Sequence, residues 1–166
     1  MADFAKNSLI CGKKIADQIL TVQDNKLIFD FEKITKIPDK FVNDDTMSKE
    51  EEIWLSDNWG ALSNALCCDV QFSEKENLFT INFQTKWGIP RRIIEKLVDL
   101  SKEDNFIWLA IYEPSDLLEI FTKSVQNKLE RRRIYNHNID YYDDKAYDKM
   151  KEYLSTESSS KKKKIK

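Results

Sequence analysis

Few side chains in this sequence could carry chemistry, and they are scattered. The single histidine, His137, sits in Tyr135-Asn136-His137-Asn138 with no serine or cysteine spaced to partner it, which fits a surface turn better than a catalytic base. Three cysteines, Cys11, Cys67 and Cys68, form no C-x-x-C pair, and adjacent Cys67 and Cys68 would point to opposite faces of a strand. Neither a disulfide framework nor a zinc site follows from that spacing, and small buried hydrophobes are the ordinary reading. With Gly12, Gly60 and Gly88 as the only glycines, no glycine-rich phosphate loop exists. Metal-assisted hydrolysis needs converging carboxylates, whereas Asp44-Asp45, Glu50-Glu51-Glu52 and Asp143-Asp144 are runs of the kind solvated faces carry. The expectation is a non-enzymatic protein with no catalytic residues, cofactor or metal.

Charge is the more informative signal. The net charge of −2 selects neither nucleic acid nor an acidic ligand, so only local patches can favour a partner. Between Asp39 and Asp57 the chain carries seven acids (Asp39, Asp44, Asp45, Glu50, Glu51, Glu52, Asp57) against Lys40 and Lys49, a local net of −5. An acidic first helical turn suits the helix dipole. The same surface could also engage the basic groove of a partner, where charge complementarity raises on-rate and fixes orientation. Asp44, Asp45, Glu50, Glu51, Glu52 and Asp57 are therefore the candidate partner-binding residues. The opposing patch is Lys128 with Arg131, Arg132 and Arg133, followed by the lysine tail from Lys161 and Lys162 to Lys166. These residues would bind phosphate without sequence preference and with strong salt dependence, which makes nucleic acid the alternative partner.

The elements that must position these groups are clearest between Leu66 and Tyr112. Cys68, Val70 and Phe72 alternate, Ser73 to Asn77 make a polar turn, and Phe79, Ile81 and Phe83 alternate again, which predicts a β-hairpin. Thr85-Lys86-Trp87-Gly88-Ile89-Pro90 then turns the chain into a helix with Ile89, Ile93, Ile94, Leu97 and Leu100 on one face and Arg91, Arg92, Glu95 and Lys96 opposite. A strand follows from Phe106 to Tyr112. Upstream, Ser8 to Cys11 read as a strand, and Lys13 to Leu20 read either as a helix or as the approach to a hairpin of Ile19–Val22 and Leu27–Phe31. Ser48 and Glu51 form a capping box ahead of a helix whose stripe is Leu55, Trp59, Leu62 and Leu66. Downstream, Ser115 caps an expected helix through Leu118, Phe121, Val125 and Leu129, and a second helix is expected over Asp143 to Leu154, with Tyr147, Met150 and Leu154 on one face.

This order is a ferredoxin-like β-α-β-β-α-β antiparallel sheet of the α+β class, with a helical insertion before the second strand and added C-terminal helices. The expected division is a domain over residues 1–114 with its insertion at 27–60, a helical extension over 115–155, and a lysine-rich tail over 156–166 whose composition predicts disorder. If Phe79, Ile81 and Phe83 face the core, the open face of that strand shows Thr80, Asn82 and Gln84, which is no platform for stacking bases. Trp108 and Tyr112 fall on the open side of an edge strand, where the helix Leu118 to Leu129 would cover them. A 41% hydrophobic share with 4 Trp, 6 Tyr and 9 Phe supports a real core at 166 residues. No apolar leader follows Met1 and no run is long enough to span a bilayer, so a cytoplasmic location in the host cell and no membrane partner are expected.

Certain stretches also resemble a known family. Phe29-Asp30-Phe31-Glu32-Lys33-Ile34 leading to Ile37-Pro38, then Asn58-Trp59-Gly60, then Phe83 to Pro90, and finally Tyr112-Glu113-Pro114 resemble the YubB-like ferredoxin-like domain of plasmid and phage proteins. The match covers about residues 8–114 and departs from the family pattern at Ala61-Leu62-Ser63 and at Ser115. The resemblance implies a mobile-element setting and brings no catalytic residues with it. The resulting expectation is a protein that binds a host or phage protein, such as a nucleic-acid-binding effector, and inhibits a host defence system of the CRISPR or restriction type. The alternative is a nucleic-acid-binding accessory protein.

Overall fold

A computed structural model describes residues 3–42, 45–102, 104–115, 117–123 and 128–135. The elements are β1 (Phe4–Cys11), α1 (Lys13–Ile19), β2 (Leu20–Gln23), β3 (Lys26–Phe29), α2 (Lys49–Asn58), β4 (Leu66–Ser73), β5 (Leu78–Lys86), α3 (Arg91–Ser101), β6 (Phe106–Tyr112), β7 (Leu117–Lys123) and β8 (Leu129–Tyr135). Six strands form one antiparallel sheet in the order β4-β5-β1-β6-β7-β8, and β2 pairs with β3 in a separate hairpin. The class is α+β. No helix among the described residues is long and apolar enough to cross a membrane.

The two N-terminal readings turn out to be consecutive. Ile15, Ala16 and Ile19 bury one face of α1, and the chain then passes directly into β2. Asp24 and Asn25 have φ of 51° and 61°, the left-handed pair that a tight hairpin turn needs and that Asx side chains tolerate. Phe29 and Phe31 then plug the core. Phe29 meets Phe31 at 5.0 Å and Phe83 at 5.2 Å, and Phe83 meets Trp108 at 5.4 Å, all edge to face. Such pairs add about 0.5–1.5 kcal/mol each beyond their burial. Residues from α1, α2 and α3 share this one core with Ala5, Leu9, Ile81, Phe83, Phe106 and Trp108, so the helices all lie against the same face of the sheet.

Three expectations about the elements need correction. The helix capped by Ser48, whose hydroxyl accepts from the Glu51 amide at 3.1 Å, ends at Asn58, because Gly60 turns left-handed at φ +82°. Leu55 and Trp59 stay on the buried stripe, while Leu66 opens β4. Trp108 is fully buried in the helix-side core, not on an open face, and β6 is not an edge strand. Phe106 to Tyr112 is apolar at every position, so alternation alone could not say which set faces the helices. Ile107, Leu109 and Ile111 are buried on the opposite face.

The third correction is the largest. Leu117–Lys123 and Leu129–Tyr135 are strands, where a helix through Leu118, Phe121, Val125 and Leu129 was expected. β7 pairs along the whole of β6, Phe106 with Lys123 through Tyr112 with Leu117, so the sheet continues past residue 114. A strand apolar on both faces imitates a helical stripe, and the free edge of β6 decides the matter. Val125, the expected helix over Asp143–Leu154 and the tail 156–166 lie outside the described residues.

Candidate functional site

Two charged regions reach the surface, and they are built differently. The first lies where the end of α2 meets the turn between β5 and α3. Trp87 sits in that turn at φ 59° and is half exposed. A left-handed conformation costs a non-glycine residue roughly 1–2 kcal/mol, so its surroundings must impose it. They do so at several points. The Trp87 amide donates to the Asp3 carbonyl at 2.8 Å, and the Leu62 amide donates to the Lys86 carbonyl at 2.9 Å. The Lys86 amide donates to Ser63 Oγ at 2.9 Å, and Thr85 Oγ1 donates to the Gly88 carbonyl at 2.7 Å.

Thr85 is itself held from the core. Trp108 Nε1 donates to Asn7 Oδ1 at 3.0 Å, and Asn7 Nδ2 donates to Thr85 Oγ1 at 3.1 Å. A buried polar relay thus runs from the sheet to the turn, and its members are costly to leave unpaired. Two glycines let the backbones close in. A Cβ on Gly88 would stand 3.0 Å from the Gly60 carbonyl oxygen, and one on Gly60 would stand 2.8 Å from the Arg91 amide nitrogen. The insertion is fastened too: Trp59 Nε1 donates to the Thr35 carbonyl at 3.1 Å, and Lys96 Nζ donates to Thr35 Oγ1 at 2.8 Å.

This geometry places the Trp87 indole beside the outer stripe of α2. Lys49, Glu52, Ile53, Ser56, Asp57, Leu62 and Trp87 line a groove of about 320 Å³, and Met47 extends it. Met47, Ile53 and Trp87 are each about half exposed (48%, 54% and 50%), an unusual grouping of large apolar side chains in water. The predicted acids divide around it. Glu52 and Asp57 line the groove; Glu50 pairs with Lys40 outside it; Asp45 is exposed; Glu51 is half-buried in the first turn; Asp44 lies outside the described residues. Glu52 has Lys49 at 3.5 Å, and Asp57 has no ion pair among the described residues. Sequence reasoning missed Trp87, reading its turn only as a strand-to-helix connection. The available signal was a large aromatic beside a glycine in a turn, a place where burial is hard to achieve.

The second region is the edge formed by β7, β8 and the start of α3. Glu119 on β7 is completely buried, and its Oε1 accepts from Arg91 Nη2 at 2.8 Å and Arg133 Nε at 2.9 Å, while Oε2 accepts from Arg91 Nε at 3.1 Å. Burial would raise the Glu119 carboxyl, but the hydrogen bonds and charge of Arg91, followed by those of Arg133, outweigh it and hold the pKa below the ordinary glutamate value. Arg133 is thus part of the framework. Arg131 shares its face of β8 and Arg132 points to the other, so the three arginines do not form one patch. Lys161 and Lys162 lie outside the described residues. Lys123 is also fully buried and donates to the carbonyl oxygens of Lys102 and Asp104.

Of the three thiols Cys67 is exposed, Cys68 is half-buried and Cys11 is buried. Burial pushes the Cys11 thiol up to about 12, and burial also raises Cys68, so neither is an activated nucleophile near neutral pH. Among the described residues no group of three or more His, Cys, Asp or Glu side chains is placed to hold a metal ion. Comparison with protein-family models, curated proteins and solved structures returns no match to this chain.

Proposed function

We propose that this chain is a non-enzymatic protein-binding protein on a ferredoxin-like core, recognising its partner through α2 and the adjoining Trp87 turn. The spatial order β4-β5-β1-β6 with all helices on one face supports the core, and the resemblance to the YubB-like family rests on the residues quoted above. The observation that carries the functional reading is the exposed apolar cluster of Met47, Ile53 and Trp87 set beside the carboxylates of Glu52 and Asp57. An apolar centre with a charged rim is the anatomy of a protein interface, and the sign of the rim selects a basic partner. A nucleic-acid-handling protein presents such a surface, and inhibition of a host defence effector is the biological role we assign on the strength of the resemblance.

Capture from a host lysate with the tagged full chain tests the reading. One stoichiometric basic protein should be retained by the wild type and lost when Glu50, Glu51 and Glu52 are all changed to Lys. Retention of no protein, or equal retention by the charge-reversed variant, would contradict it.

A further inference from the structure

We infer that the groove between the Trp87 turn and α2 is an anchor pocket for an arginine side chain of the partner protein, its guanidinium stacked on the Trp87 indole and paired with the Glu52 and Asp57 carboxylates. The inference rests on the protein-binding reading and adds the chemistry of the group that is bound.

The lining divides by chemistry. Trp87, Leu62 and Ile53 offer apolar surface, and Met47 continues it, which suits the methylene stem of a long side chain. Glu52 and Asp57 supply negative charge beside the indole. Asp57 is unengaged among the described residues, and the Lys49–Glu52 contact of 3.5 Å joins exposed side chains, a pair that a better-fitting cation displaces at little cost. A volume of about 320 Å³ lies at the small end of ligand sites and fits an extended side chain. A guanidinium is planar and weakly hydrated, stacks on aromatic faces and binds carboxylates in a fork, so it uses both walls at once where an ammonium uses them poorly. The indole is held by a turn fixed at the backbone of Trp87, Lys86 and Gly88, so little ordering remains to be done on binding.

The test pans a random linear peptide library displayed on phage against the full chain, then titrates the enriched peptides as free synthetic probes. Enriched peptides should contain arginine, and replacing that arginine by lysine should weaken them severalfold. Trp87→Ala should weaken binding about tenfold or more, Trp87→Phe should recover part of the loss, and Glu52→Gln with Asp57→Asn should remove the preference for arginine over lysine. Circular dichroism of Trp87→Phe serves as the folding control. Peptides that lack arginine, or that bind Trp87→Ala and Trp87→Phe as tightly as the wild type, would overturn the anchor and leave the protein-binding reading standing. A library that yields no binder would overturn both.

Discussion

The acidic groove and the arginine edge carry opposite charge in the sequence and stand in opposite surroundings in the molecule. At α2 the carboxylates stand in water beside exposed apolar side chains, and the ion pairs that form there, Lys40–Glu50 and Lys49–Glu52, are solvent-exposed on both sides. At the β7–β8 edge part of the charge is taken up by the fold: Arg133 and Arg91 neutralise a carboxylate with no solvent exposure of its own, while Arg131 and Arg132 stay exposed. The difference lies in the burial of the partner. A charge next to a buried counter-charge belongs to the fold, and a charge next to an exposed apolar surface is available for recognition.

Breaking the framework should have the largest effects. Trp108→Ala empties a fully buried indole position and strips Asn7 Oδ1 of its donor, and it should cost about 3–5 kcal/mol by denaturant titration. Gly60→Ala forces a side chain at φ +82° against the Arg91 backbone, and a loss of about 2–3 kcal/mol is expected, with the Trp87 turn loosened. Thr85→Val keeps the shape but removes the hydroxyl between Asn7 and Gly88, and about 1–3 kcal/mol should be lost.

The arginine edge sharpens the comparison through pH. The folded pKa of Glu119 is depressed, so its contribution is present above the unfolded value, about 4.3, and is lost as pH falls through the folded value. Wild type should exceed Glu119→Gln in stability at neutral pH, and the gap should close on acidification below about pH 4 in urea titrations. If the gap is independent of pH, the ion pairs are not what holds that edge. The smallest effect is expected at α2, where Glu50→Gln should shift stability by no more than about 0.5 kcal/mol while slowing association with a basic partner at low salt.

How much of this was legible in the sequence follows from what each segment had to satisfy. The β4–β5 hairpin and α3 could be read because one face is apolar and the other polar, so period and face agree: Val70 pairs with Ile81 as alternation predicts, and Ile93, Ile94 and Leu97 are buried. β6 and β7 could not be fully read because both faces are buried, and for such strands the pattern carries no face and hardly a period. Glu119 stands alone as an acid inside that apolar run, and its pairing with Arg91, a residue far away in sequence, explains it. The acidic half of the candidate site was visible as a charge run. Its apolar half was not, because Trp87 reaches α2 only through the close approach of Gly60 and Gly88.

The most direct measurement compares affinities for the captured partner across the two regions. Binding should fall about tenfold or more with Trp87→Ala and stay within about twofold of wild type when Arg131 and Arg132 are both changed to Ala. A partner released by the two arginine substitutions and indifferent to Trp87→Ala would place recognition on the β8 edge and contradict the account.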